Sequence, residues 1–261
     1  MNNFSFKLMR FASLFTITRM IGIKVSTFKK KSKLEDDKTI SILSNPKDYL
    51  TDIVENGFSR KFIIPKELLS NIIKYCDNNK FLDIKEGSLH TIDYEIPTKP
   101  NSSGLWYQHN DAYNLCPDVK RLAHNHDILK IIREYLGAEP LIKSVAIWWS
   151  FPPDNSNYNH EYGFHYDIDA YKFIKFFIYL VDVDENTGPH SIIPSTHKSK
   201  NFFEKRNRRL TDDQVKSRYS DKKIVTVLGK AGDGFFEDTF TYHKGTTPKK
   251  PRLMLQVEYS L

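Results

Sequence analysis

The sequence predicts a mainly β domain flanked by helices, an α-flanked β-sandwich, on three observations. Helical spacing of apolar residues is confined to the stretch before residue 140. From Pro140 onward, short runs of β-branched and aromatic residues alternate with Gly, Pro, Asn and Asp, the pattern of antiparallel strands joined by turns. The glycines of the segment GKAGDG at 229–234 follow one such run and lead into another rather than into a helix. That order excludes the phosphate-cradling loop-and-helix units of nucleotide-binding folds.

At 261 residues the chain suits one large core behind a short arm, and we divide it into a basic segment, 1–40, and a single domain, 41–261. Pro65 opens a helix through Leu68, Leu69, Ile72, Ile73 and Tyr75, with proline at its first turn. A second helix runs from Asp118 to Leu136 and stops at Gly137. The strands follow as Leu141–Phe151, Phe173–Val183, Ser191–Ile193, Ile224–Leu228, Gly234–Glu237 and Leu253–Tyr259. Trp148 and Trp149 are neighbours on one strand, so one faces the core and the other a pocket. Only two cysteines occur, Cys76 and Cys116, which excludes a disulfide scaffold and a cysteine-rich zinc module and suits a cytoplasmic, reducing setting.

The net charge is +7, yet residues 1–38 hold nine basic and three acidic groups, leaving the rest of the chain nearly neutral. A neutral body does not suit a domain that coats a phosphate backbone, so no nucleic-acid partner is expected. In the arm, Phe4, Leu8, Phe11 and Phe15 share one helical face, and a lysine cluster spans Lys29–Lys33. Arg19 interrupts the apolar run well short of the roughly 20 residues a membrane span needs. No small-residue cleavage site of a signal peptide follows it. Two readings stand: an in-plane amphipathic anchor that contacts the inner face of a membrane peripherally, or a solvated, partly disordered arm.

Chemistry concentrates in Gly163-Phe164-His165-Tyr166-Asp167. In extended backbone, residues two apart share a face, so His165 and Asp167 can present an imidazole and a carboxylate to one point. His243, 76 residues after Asp167, can supply a third ligand from a distant strand. Two histidines and one carboxylate on one face of an ion is the donor set of non-haem Fe(II) oxygenases. The His-x-Asp pair alone is weak, because a chain with nine histidines produces such pairs by chance. Its company strengthens it: Arg252, nine residues after His243, opens an apolar strand and offers a planar two-pronged donor to a dicarboxylate.

Taken together, His165-Tyr166-Asp167, the run Phe173–Val183, the segment ENTGPHSIIPSTH at 185–197, Gly232-Asp233, His243-Lys244-Gly245 and Arg252 resemble the phytanoyl-CoA dioxygenase family. The resemblance covers roughly residues 140–260. It implies a double-stranded β-helix (a cupin-like jelly roll) that uses Fe(II), 2-oxoglutarate as cosubstrate and dioxygen. On it, His165, Asp167 and His243 are the iron ligands and Arg252 meets the distal carboxylate of 2-oxoglutarate. Phe177 falls where many members place an aromatic side chain against the cosubstrate, although an ordinary core phenylalanine reads equally well there. A hydroxyl of Thr246 or Thr247 is a further cosubstrate contact on the same basis. Ser195 stands where the family often has glycine, which should alter that turn. Asp167 is retained where halogenating relatives lack the carboxylate, which favours hydroxylation with release of succinate and CO2. His197 matches a structural position, His190 lies too near it to replace His243, and His160 is given no role.

For the substrate, the basic stretch Lys198, Lys200, Lys205, Arg206, Arg208 and Arg209 follows the turn in a loop-like insertion, and Lys244, Lys249 and Lys250 add charge beside His243. A positive entrance suits a small anionic substrate, phosphorylated, nucleotide-, CoA- or lipid-linked, while a merely solvated loop is the plainer alternative. Two rival functions are a non-catalytic jelly-roll binding module that leaves 2-oxoglutarate intact, and a peripheral membrane scaffold acting through the basic arm.

Overall fold

The computed structural model describes residues 3–29, 31–153, 163–198, 200, 202–219 and 224–261, so His160 lies outside the described residues. Helices come first: α1 (Asn3–Ala12), α2 (Thr16–Phe28), α3 (Pro46–Asn56), α4 (Lys66–Asp77), α5 (Ala112–Leu115), α6 (Pro117–Ala123) and α7 (His126–Leu136). Among them lie four short strands, β1 (Phe62–Ile63), β2 (Phe81–Asp83), β3 (Leu89–His90) and β4 (Trp106–His109). The second half carries β5 (Leu141–Ser150), β6 (Phe164–His165), β7 (Phe173–Tyr179), β8 (His190–Ile192), β9 (Arg209–Leu210), β10 (Val225–Val227), β11 (Asp233–Glu237), β12 (His243–Gly245) and β13 (Arg252–Ser260). Two short helices, α8 (Phe202–Arg206) and α9 (Asp212–Arg218), flank β9.

The strands form two antiparallel sheets, the order being β1-β11-β7-β13-β5-β4-β2-β3 in the larger and β10-β8-β12-β6-β9 in the smaller. This is the jelly-roll sandwich, with helices on the outside of the larger sheet. Alternation along each strand builds the two layers. On β7, Ile174, Phe176 and Ile178 join the core shared with α3, α4, α6 and α7. Phe177 and Tyr179 point the other way and pack with Phe235, Ile192 and Met254 between the sheets. A wholly buried strand such as β7 therefore shows no polar alternation in its sequence.

The predicted helix over 118–136 is two helices. Asn125, at 2% exposure, takes an extended conformation and accepts the amides of Asp127 and Ile128. Its own amide group donates to the Ile40 carbonyl, while Asp37 pairs with the backbone of His124 and His126. An asparagine that caps a new helix and binds a crossing segment breaks the old one. Pro65 sits just before α4 as its N-cap rather than inside the first turn. Ser195 adopts the left-handed conformation glycine would favour, φ 64°. Its amide and hydroxyl both bond α3, at the carbonyls of Asn56 and Glu55, which offsets the roughly 1–2 kcal/mol of strain, so the turn survives the substitution.

The N-terminal segment forms α1 and α2 against the body. Met9 is buried in a cluster with Phe164, Tyr166, Phe240 and Tyr242. Farther on, Arg133 ties Asp36, Glu139 and the Leu34 carbonyl together. Among the described residues no helix is long and apolar enough to cross a membrane.

Candidate active site

The short strands β6 and β12 are neighbours, with His165 directly opposite His243 and their ring centroids 4.5 Å apart. Asp167 follows β6, its amide donating to the Thr239 carbonyl at 2.7 Å. One ligand atom from each of His165, Asp167 and His243 lies within 4.8 Å of the others. His243 Nε2 is 3.9 Å from Asp167 Oδ2. His165 Nδ1 sits 3.0 Å from the Gly163 carbonyl, and His243 Nδ1 2.9 Å from the Thr241 carbonyl. A carbonyl only accepts, so each Nδ1 carries a proton, and in the neutral ring Nε2 is then the nitrogen with the lone pair. Tying down the far nitrogen in this way fixes the ring and tautomer of a metal-binding histidine.

Charge favours the same state. Burial pushes the Asp167 carboxyl up, but Lys175 with His243 and His165 outweighs it and holds the group far below the usual carboxylate range. Burial pushes His243 down to about 4. At neutral pH the donors are thus a carboxylate and a neutral imidazole, the forms that bind metal. The donor set fits a divalent first-row ion with open positions.

His165, Asp167 and His243 line a cavity of about 280 Å³ together with Phe177, Met254 and Arg252. Arg252 is 4% exposed, at the first position of β13, and its Nη1 donates to the Gly188 carbonyl. Phe177 faces this cavity and packs at a tilt against His190, centroids 5.0 Å apart. Thr246 is not among the lining residues, and its hydroxyl donates to the Pro189 carbonyl at 3.0 Å. Of the two tryptophans, Trp148 lines the cavity and Trp149 is in the helix-side core. His197 bonds the Val54 carbonyl away from the site.

Sequence reasoning missed two buried groups, Lys175 and Glu237, and set a third, His190, aside as a ligand. Lys175 Nζ lies 2.8 Å from Asp167 and 3.0 Å from Asp169, and both carboxylates raise its pKa against the opposing effect of burial. His190 is stacked on His243 at 5.3 Å, and its Nε2 lies 2.8 Å from Glu237, which burial pushes up to about 7. Burial, and then Arg252, pushes His190 down to about 3. The signal was present: a lysine and a glutamate interrupt the otherwise apolar runs FIKFFIY and GFFE.

The basic stretch is divided by the fold. Lys200 is buried and bonds backbone carbonyls, Arg208 bonds the Tyr166 carbonyl, and Lys244 and Lys250 pair with Asp212 and Asp184. Arg206 and Arg209 are exposed and, with His165, line an adjoining cavity of about 410 Å³.

The sequence matches the phytanoyl-CoA dioxygenase family over residues 95–252. No curated protein matches it. Several solved structures share the fold. EctD from S. alaskensis, solved with 2-oxoglutarate and 5-hydroxyectoine, is 17% identical with a TM-score of 0.57, over 89% of this chain and 83% of that one. HygX from Streptomyces hygroscopicus, solved with nickel, 2-oxoglutarate and hygromycin B, is 14% identical at 0.56, over 81% and 86%. The non-haem α-ketoglutarate-dependent epimerase SnoN from nogalamycin biosynthesis is 15% identical at 0.53, over 82% and 80%. With the family matched over most of the jelly roll and its motif residues gathered at one cavity, the chain belongs to the phytanoyl-CoA dioxygenase family of 2-oxoglutarate-dependent oxygenases.

Proposed function

We propose that the protein hydroxylates an aliphatic C–H bond of a small anionic substrate, using Fe(II), 2-oxoglutarate and dioxygen. The observation that carries this is the donor set itself: His165, Asp167 and His243 converge, with both Nδ1 protons already committed to carbonyls. When bound, Fe(II) and 2-oxoglutarate supply the oxidising chemistry, with succinate and CO2 as coproducts.

The chain's own residues would then bind, orient and shield. His165, Asp167 and His243 hold the metal on one face and leave its other face to ligands. Arg252, buried in the cavity wall, grips the distal carboxylate, where low dielectric strengthens a charge-assisted pair. Phe177 packs against the cosubstrate chain and excludes water on that side. On the substrate side, Arg206 and Arg209 beside His165 support a phosphate- or carboxylate-bearing substrate, with Trp106 and Trp148 as apolar walls.

The test is anaerobic titration of the purified protein with Fe(II) and 2-oxoglutarate, following the visible metal-to-ligand charge-transfer band. Wild type should show the band, His243→Ala should lose it, and Arg252→Ala should need far more cosubstrate. A folded wild type without a band overturns the oxygenase reading and leaves the binding module. Given the band, anionic candidates are scored by succinate release, and an Arg206→Glu/Arg209→Glu variant should lose their stimulation.

A further inference from the structure

The two N-terminal helices turn their apolar stripes away from the protein. Of the seventeen large apolar side chains exposed among the described residues, nine lie between Phe4 and Phe28. On α2 the exposed Ile17, Met20, Ile21, Val25 and Phe28 recur at helical spacing. On α1 the stripe is Phe4, Leu8 and Phe11, continued by Phe15. Inward, α1 buries Met9 with Phe6 and Leu14 beside it, and polar groups complete the attachment. Arg10 Nε donates to the Ile168 carbonyl and Arg19 Nε to the Tyr171 carbonyl, each at 3.0 Å. The Arg19 guanidinium also lies 3.6 Å above the Phe240 ring. Gly22 meets Tyr171 so closely that a Cβ would stand 2.5 Å from its ring. A surface helix ordinarily buries most of its apolar residues, whereas these two expose the majority of theirs, an apolar face that calls for a partner.

Charge identifies the partner. Neither α1 nor α2 contains an acidic residue, while Lys7, Lys24 and Lys29 are exposed on or beside them. The arm's three acids all lie beyond α2: Asp36 is paired with Arg133 and Asp37 with Arg121, and Glu35 is exposed. We propose that the outer face of α1 and α2 is a docking surface for an anionic lipid bilayer, with both helices lying in the interface plane. An apolar stripe fringed by lysine alone matches acyl chains beneath anionic headgroups. A second copy matches less well, because twofold pairing would set these lysines against their own counterparts. The docked helices touch the loop that follows Asp167, and Lys205 Nζ donates to Thr16 Oγ1 at 2.5 Å. Binding would therefore hold the Arg206–Arg209 side of the site near the headgroups. The inference is independent of the iron chemistry, and its test is read without turnover.

The experiment is flotation of the full chain with phosphatidylcholine vesicles, with and without phosphatidylglycerol, at low and high salt. Wild type should float with the anionic vesicles, weakly with the neutral ones, and less as salt rises. Lys7→Glu/Lys24→Glu/Lys29→Glu should weaken binding by about 100-fold or more. Ile17→Ser/Ile21→Ser/Phe28→Ser should do the same by about 100-fold while keeping the circular dichroism of the wild type. All three sites are exposed, so folding should be spared. Wild type that stays unbound, or binding that neither variant changes, overturns the proposal. So does a concentration-dependent dimer that the serine variant dissociates, since that assigns the face to a second copy.

Discussion

Gly245 offers a way to disturb Arg252 in the cavity wall without replacing a charged residue. It closes β12, two residues after His243, and faces the Arg252 guanidinium. In Gly245→Ala the added methyl carbon would stand 3.3 Å from Nη2, 3.6 Å from Nη1 and 3.9 Å from Cζ. The nearest of these is closer than ordinary contact, and the guanidinium cannot simply swing away because Nη1 is anchored on the Gly188 carbonyl. It should shift by a few tenths of an ångström and lose alignment with one carboxylate oxygen. A charge-assisted hydrogen bond contributes about 1.5–3 kcal/mol, so losing one arm should weaken 2-oxoglutarate binding roughly 10- to 100-fold. The fold should not suffer. Gly245 is not in the left-handed region, and alanine in a strand loses about 0.5–1 kcal/mol less entropy than glycine. The expected signature is a raised Kd for 2-oxoglutarate, an unchanged or higher Tm, and Fe(II) affinity near the wild type. Anaerobic titration of the charge-transfer band, run beside a thermal melt, measures all three. An unchanged Kd would show that Arg252 does not grip the cosubstrate, and joint loss of metal binding would show that the methyl group disrupts β12 instead.

Lys175→Met removes the buried cation between Asp167 and Asp169, and the metal-free variant should lose up to about 3 kcal/mol because two partly buried carboxylates are left facing each other. Saturating Mn(II) should restore more stability to this variant than to the wild type, read by urea midpoints. The metal-free protein should also weaken as pH falls from 6.5 towards 4.5. In that window the unfolded chain takes up protons at His190 and His243, whose folded values lie near 3 and 4. Glu237, raised to about 7, opposes this with one proton held only in the folded state. The net is one extra proton on the unfolded chain, a loss of about 1.4 kcal/mol per pH unit. Chemical denaturation at stepped pH checks the sign, and a flat profile refutes it. Finally, Arg133→Ala should cost about 2–3 kcal/mol and expose residues 31–37 to limited proteolysis, since that side chain binds Asp36, Glu139 and Leu34 at once.

The long strands β5, β7 and β13 were legible because each is a continuous β-branched and aromatic run, and α7 because its apolar spacing and Gly137 cap are local signals. The donor set was legible for a similar reason, since His165 and Asp167 are related by the two-residue period of extended chain. The strands β1 to β4 were not, because pieces of two to four residues owe their conformation to partners far along the chain. The break at Asn125 depends on Ile40, which no local pattern connects to it. Lys175, His190 and Glu237 gain their meaning only when β7, β8 and β11 are brought to one cavity. The basic stretch misled in part, because a sequence cannot show that Lys200 is inside and that Lys244 and Lys250 have carboxylate neighbours.

The residues that line the cavity sit on strands of very different length. Arg252 begins a nine-residue strand bonded along both edges, to β5 and β7, whereas His165 lies on a two-residue strand between β12 and β9. Amide hydrogen exchange should separate them, with β13 opening only on global unfolding and β6 opening through local fluctuation. A ligand held by both His165 and Arg252 would lend the protection of the long strand to the short one. Loading the site should therefore slow exchange at 164–165 and 209–210 far more than at 252–260, a footprint that reports occupancy before any substrate is known.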